Sequence, residues 1–219
     1  PSQKYPMLVY FYEKRSDNLN RYNIPSPIAT VINWSYCVSN GYLVFIPDVV
    51  FRKGEPGASS YDAVVSGVKS LIDRYDFIDK DRIALNGHSW GGYQIAFLVT
   101  RTNMFKAAVS GAPVVNMTSA YGGIRWESGK SRMFQYEQTQ SRIGGTLWDK
   151  PAEFIRNSPL FFLPQVQTPV LIMHNDKDGS VMWEQGIEFF MALRRLDKPV
   201  WLFNYKGEGH HLKKWENRL

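Results

Sequence analysis

Apolar residues come in short blocks along this chain, and the blocks switch between two periodicities. Tyr5-Pro6-Met7-Leu8-Val9-Tyr10-Phe11-Tyr12 reads as a strand rich in aromatic and apolar residues. The stretch from Asp17 to Pro27 is polar and carries two prolines, so it reads as a loop. Thr30 to Asn40 reads as a helix that stops at Asn40-Gly41. Gly41 to Asp48 is nearly all apolar at its centre, as a parallel strand covered on both faces would be. Tyr61, Val64, Val65, Val68, Leu71, Ile72 and Tyr75 then recur at helical spacing. That stripe predicts a core-facing helix.

Asp79-Lys80-Asp81 turns the chain into Arg82-Ile83-Ala84-Leu85, a short buried strand, and Gln94 to Val99 continues as a helix. Further strands are predicted at 107–112, 169–174 and 200–205, with a helix from Trp183 to Leu196 and a closing helix from Leu212 to Leu219. Residues 114–160 break the rhythm, being rich in Gly, Ser, Gln and aromatics, and read as an excursion over the C-terminal edge of the sheet. Strands alternating with helices imply an α/β architecture, a mostly parallel, doubly wound sheet with helices on both faces.

Composition narrows the classes. The 219 residues suffice for a single sizeable domain, and 44% hydrophobic with 15% aromatic residues excludes a disordered chain. No run of about 18 apolar residues exists, so no membrane insertion is expected. The net charge of +6 is spread over scattered Lys and Arg, which argues for a solvated surface and against nucleic acid. The one cysteine, Cys37, rules out an internal disulfide and a cysteine metal cluster, and reads as a buried structural thiol. Pro1 is not an initiator methionine, and the chain reads as a piece of a longer protein whose targeting region, and hence localisation, lies elsewhere.

The candidate chemistry sits between the strand at 82–85 and the helix at 94–99. Asn86-Gly87-His88-Ser89-Trp90-Gly91-Gly92-Tyr93 contains Gly-x-Ser-x-Gly. A serine on a tight strand-to-helix turn projects its hydroxyl from the sheet, and the strained turn needs glycines at Gly87 and Gly91. Gly92 eases close packing of the following helix, and the Trp90 N–H faces a developing oxyanion. A serine so placed needs a histidine and a carboxylate from later loops. Asp176 or Asp178 is available after strand 169–174, and His210 or His211 after strand 200–205. His88, next to Ser89, is expected to point away from it, and His174 to act as a structural hydrogen bonder.

Gly87-His88-Ser89-Trp90-Gly91-Gly92-Tyr93, His174-Asn175-Asp176-Lys177-Asp178 and Gly207-Glu208-Gly209-His210 together resemble the prolyl oligopeptidase family of serine peptidases, closest to its dipeptidyl peptidase and acylaminoacyl peptidase branches. The resemblance covers nearly the whole chain. It implies an α/β-hydrolase fold and a catalytic Ser89, Asp178 and His210, without metal or cofactor. It also implies an oxyanion site from Trp90 and Tyr12, although Glu13-Lys14 stands where the family continues with glycines. Val114, Tyr121 and Val181 match the family's substrate-binding wall. The implied substrate is a peptide, and the implied partner an upstream β-propeller. An uncovered apolar mouth around Trp90, Val114 and Tyr121 would favour homo-oligomers. The rival expectations are a carboxylesterase with the same triad, and a catalytically impaired module.

Overall fold

The computed structural model describes residues 3–22 and 30–218. Its centre is a six-stranded sheet in the order β2-β1-β3-β4-β7-β8, with β5 and β6 forming a separate hairpin. The strands are β1 (Tyr5–Tyr10), β2 (Leu43–Phe45), β3 (Ile78–His88), β4 (Ala107–Gly111), β5 (Ile124–Arg125), β6 (Lys130–Ser131), β7 (Val170–Met173) and β8 (Val200–Phe203). Every pairing within the six-stranded sheet is parallel, and only β5–β6 is antiparallel. The helices are α1 (Trp34–Ser39), α2 (Pro56–Arg74), α3 (Trp90–Val99), α4 (Met117–Tyr121), α5 (Met133–Glu137), α6 (Pro151–Arg156) and α7 (Trp183–Arg195).

Alternation along the strands decides which side chains enter the core. Met7, Val9 and Phe11 from β1 and its end, Ile83 and Leu85 from β3, and Val170 and Ile172 from β7 all point to one face. There they meet Val64, Val65 and Val68 of α2, Ile95 and Leu98 of α3, and Phe189 and Leu193 of α7. The opposite face carries α1, whose Trp34 ring lies 5.7 Å from Tyr10. Helices therefore cover both faces, the long ones on one side.

Several boundaries differ from the sequence expectation. The helix expected over 30–40 begins only at Trp34, because Asn33 caps it by accepting the Tyr36 N–H at 3.0 Å. The strand expected over 41–48 is three residues long, lies at the sheet edge and is half-buried. Cys37, expected buried, is partly exposed on α1. The closing helix is instead a single 3₁₀ turn, Trp215–Asn217. Its helix is pre-empted by Glu208, whose carboxylate accepts the N–H groups of Lys213 (2.8 Å) and Lys214 (3.0 Å) and the Asn217 amide (2.7 Å). Residues 23–27 of the expected polar loop, and Leu219, lie outside the described residues.

The excursion at 114–160 is ordered by a second apolar cluster. Val114, Met117, Ala120, Tyr121, Tyr136, Ile143 and Phe154 pack with Val181 and with Trp90 and Tyr93 of α3. The apolar mouth expected at Trp90, Val114 and Tyr121 is therefore closed, since these residues are only 3%, 5% and 2% exposed. The excursion's own aromatic residues fill the space that the expectation left open.

Candidate active site

Ser89 joins β3 to α3 with φ 59° and ψ −116°, a left-handed backbone that a residue with a side chain adopts only when its surroundings enforce it. Two backbone hydrogen bonds enforce it here. The Ser89 N–H donates to Gly111 O of β4 at 2.8 Å, and Ser89 O accepts the Tyr93 N–H at 3.0 Å. The glycines allow the rest. A Cβ at Gly91 would sit 2.7 Å from Phe11 O, and one at Gly92 only 2.2 Å from Gly111 O. The first turn of α3 is thus pressed against the ends of β1 and β4 by backbone, with no room for side chains. The Trp90 N–H, at the first position of α3, has no partner within its own helix.

The loop after β7 presents Asp178, and the loop after β8 presents His210. Asp178 Oδ2 accepts from His210 Nδ1 at 2.7 Å, both groups being buried. Asp178 Oδ1 accepts the N–H groups of Ser180 and Val181, each at 2.8 Å. His174 Nε2 lies 3.3 Å from Asp178 Oδ2 and 3.2 Å from Val181 O, so it donates to two acceptors and braces the carboxylate. Burial alone would raise the Asp178 carboxyl, but hydrogen bonds from His174 and His210 outweigh it and hold the group well below the usual carboxylate range. Asp178 is therefore a fixed anion. With its Nδ1–H engaged, His210 turns the lone pair of Nε2 outward as a base. Asn175 locks the two loops together by donating to Gly209 O at 2.9 Å.

The other members of each pair have different employment. Asp176 accepts the Gly207 N–H at 2.7 Å and is half-buried. His211 is exposed and pairs its Nδ1 with Thr30 Oγ1 at 3.1 Å.

Ser89 and His210 share a cavity of about 470 Å³ with Tyr10, Tyr12, Arg15, His88, Arg125, Glu127, Gln140, Ser180 and His211 among its lining. Tyr12 is brought there because its carbonyl accepts from Gln94 of α3, and its hydroxyl accepts from Gln140 Nε2 at 2.9 Å. Val114, Tyr121 and Val181 do not line this cavity. They form the packed wall behind Trp90. His88 departs from expectation: its ring lies 4.6 Å from that of His210 and lines the same cavity as Ser89. Burial, with the neighbouring His210 and His211, pushes it down to about 3, so it is a neutral ring at physiological pH.

Sequence reasoning missed the polar groups that the excursion delivers. Arg125 Nη2 donates to Ser180 Oγ at 3.0 Å, and Ser180 Oγ donates to Glu127 at 2.8 Å. Gln185 on α7 is fully buried, and its Oε1 accepts the N–H groups of Val115 (3.0 Å) and Asn116 (2.9 Å). A glutamine on an otherwise apolar helix face was the available signal for that strut, and the turn pair Ser128-Gly129, with Gly129 at φ 68°, was the available signal for the hairpin.

Comparison with known proteins places the chain in a family. A sequence model described as the Prolyl oligopeptidase family matches residues 32–219. The chain is similar to the uncharacterized peptidase YuxL of Bacillus subtilis, 31% identical over 74% of this chain and 23% of that protein. It is similar to the acylamino-acid-releasing enzyme of Rattus norvegicus, 28% identical over 74% of this chain and 22% of that protein. Among solved structures, Porphyromonas gingivalis dipeptidyl peptidase 4 shares the fold at a TM-score of 0.72, 23% identical, covering 96% of this chain and 29% of that one. The chain spans about a quarter of the length of the curated relatives it matches. With a match over most of its length, the chain belongs to the prolyl oligopeptidase family.

Proposed function

We propose that this chain is the catalytic α/β-hydrolase domain of a serine peptidase. Ser89 attacks the scissile carbonyl while His210 Nε2 takes its proton, and Asp178 holds the imidazolium that forms. The Trp90 N–H and the Tyr12 hydroxyl donate to the oxyanion. His210 then protonates the leaving amine, and a water activated by the same nitrogen releases the acyl group from Ser89. The scheme uses no cofactor or metal. Val114, Tyr121 and Val181 are assigned to the wall against which the substrate side chain packs, reached by rearrangement of the second cluster. A peptide substrate fits the polar rim of Arg15, Arg125 and Glu127, which offers charges of both signs to a chain's ends. The whole protein is read as carrying an upstream β-propeller against this rim.

The observation that supports this reading best is the conjunction of a strained Ser89 with the 2.7 Å Asp178–His210 bond in one cavity. Ser89 makes no side-chain hydrogen bond among the described residues, and such contacts commonly tighten only when substrate binds. A fluorophosphonate should label Ser89 alone. Ser89→Ala should abolish labelling and cut peptide turnover by on the order of 10⁶-fold. Continued labelling of that variant would remove Ser89 from the role. A matched ester and amide pair separates a peptidase from a carboxylesterase, which would leave the amide intact.

A further inference from the structure

Three imidazoles meet on the floor of the cavity, and the proposed reaction uses only one of them. The ring centroids of His88 and His210 are 4.6 Å apart, those of His88 and His211 5.1 Å, and those of His210 and His211 4.9 Å. One ring nitrogen from each lies within 4.8 Å of the other two. His88 is 8% exposed, and its Nε2 has no hydrogen-bond partner among the described residues. A buried ring nitrogen with nothing to bond is costly to keep, and a ligand that engaged it would remove the cost.

The surroundings of the other two rings suit metal ligation. His210 donates Nδ1–H to Asp178 at 2.7 Å, and the Nδ1 of His211 is engaged by Thr30 Oγ1 at 3.1 Å. Each ring is thereby oriented through one nitrogen, leaving Nε2 to face outward. A carboxylate or hydroxyl behind a histidine is the usual outer support of a histidine metal ligand. Arg15 and Arg125 also line the cavity and oppose a cation, while Glu127 and the anionic Asp178 offset them.

We propose that His88, His210 and His211 bind a divalent d-block cation of the zinc class, and that the bound ion switches the site off. Imidazole nitrogens select zinc, copper, nickel or cobalt over magnesium and calcium. Metal–nitrogen bonds of about 2.0–2.1 Å place tetrahedral ligands roughly 3.3 Å apart. The ligand nitrogens must therefore close by at most about 1.5 Å, the exposed His211 by side-chain rotation and the buried His88 and His210 by small shifts of their rings. Water takes the fourth position. The ion occupies the Nε2 lone pair of His210, the same pair that would receive the Ser89 proton, so metal and catalysis are mutually exclusive. That second half of the inference rests on the peptidase reading; the site itself does not.

The test is a titration of the protein with Co²⁺, followed by the visible absorption of a tetrahedral cobalt centre and by its displacement with Zn²⁺. One equivalent should bind. His211→Ala, a change at an exposed side chain, should weaken binding by at least about tenfold, as should His88→Phe, which keeps a ring in the packed position. In parallel, Zn²⁺ should slow fluorophosphonate labelling of Ser89, EDTA should restore it, and the labelling rate of His211→Ala, whatever its value without zinc, should not change when zinc is added. Equal cobalt affinity in the parent and in His211→Ala, or no stoichiometric binding at all, would overturn the site. Binding that leaves labelling unchanged would overturn the switch. A tetrahedral cobalt spectrum on a protein that no fluorophosphonate labels would sink the peptidase reading and leave the metal site standing.

Discussion

At the scale of single residues, the division of labour between neighbours follows from what each side chain already holds. Asp178 spends one oxygen on two backbone N–H groups and the other on His210 and His174. Replacing it with asparagine keeps the shape but puts either an amide N–H or a neutral oxygen against His210 Nδ1. The imidazole loses both its fixed tautomer and its counter-charge. Asp178→Asn should therefore lower kcat by on the order of 10⁴-fold. Asp176→Asn removes only a charge from a turn contact with Gly207 N, and should change kcat less than about tenfold. Steady-state rates on one peptide, with far-UV dichroism to check folding, measure both. Equal losses in the two variants would mean that the loop's integrity matters and the carboxylate of Asp178 does not.

At the scale of elements, the rim of the cavity depends on a loop anchored across the sheet. The chain leaving β1 is tied to the chain leaving β2 by Asp48, whose carboxylate accepts the Ser16 hydroxyl at 2.6 Å and the N–H groups of Arg15 (2.5 Å) and Ser16 (2.8 Å). The Ser16 hydroxyl first, then those two N–H groups, hold the Asp48 carboxyl below its ordinary value. A carboxyl lowered on folding stabilises the fold at every pH above its unfolded value of about 3.9, and that stabilisation is lost as the pH falls below it. Asp48→Asn should therefore lower Tm more at pH 7 than at about pH 3, so the two melting curves converge in acid. A gap that stays constant with pH would show that the ionised form contributes nothing. Arg15 lines the site, so the same variant should also raise KM for a peptide with an acidic end.

The elements that anchor this rim show why some of the fold could be read from the chain and some could not. β1, β4, β7 and the Ile83–Leu85 part of β3 are short apolar runs because both faces are covered, whereas Asp79-Lys80-Asp81, expected as a turn, is the polar first half of β3; α2 shows its stripe because only one of its faces is buried. Those patterns are local. The start of α1 and the form of the last segment were misplaced because a side chain bonding to backbone decides them, Asn33 within the expected run in one case and Glu208 before it in the other. Loop pairs at 176/178 and 210/211 were legible as pairs. Which member turns inward shows only in the contact between the two loops, where Asp178 meets His210 at 2.7 Å and Asn175 ties to Gly209 O. His88 was misjudged for a similar reason: alternation places a side chain on a face, but the ring of His210 arrives there from a residue far along the chain.

At the scale of the whole molecule, two apolar cores share one helix. Ile95, Ala96, Leu98 and Val99 of α3 belong to the sheet core, whereas Trp90 and Tyr93 belong to the cluster built by residues 114–160. Ser89 caps that helix, so the proposed nucleophile is held from both sides. Phe154 is the natural place to separate the two contributions. It is fully buried in the second cluster, with its ring edge-on to Tyr121 at 5.1 Å and 6.4 Å from Tyr136. Phe154→Ala removes those contacts and leaves a cavity, at a cost of about 3–5 kcal/mol to the structure around it. If the cores are separable, amide exchange should accelerate across 114–160 and the first turn of α3, while β1, β3, β4 and β7 stay protected. Labelling of Ser89 should slow in the same variant, because a displacement of about 1 Å at the nucleophile can cost roughly 10² in rate. Uniform acceleration of exchange over the sheet as well would mean one cooperative unit, in which the excursion stabilises the fold as a whole and does not specifically hold the site. Protection of the sheet together with slowed labelling would locate control of the nucleophile in the second core, where Val114, Tyr121 and Val181 also lie.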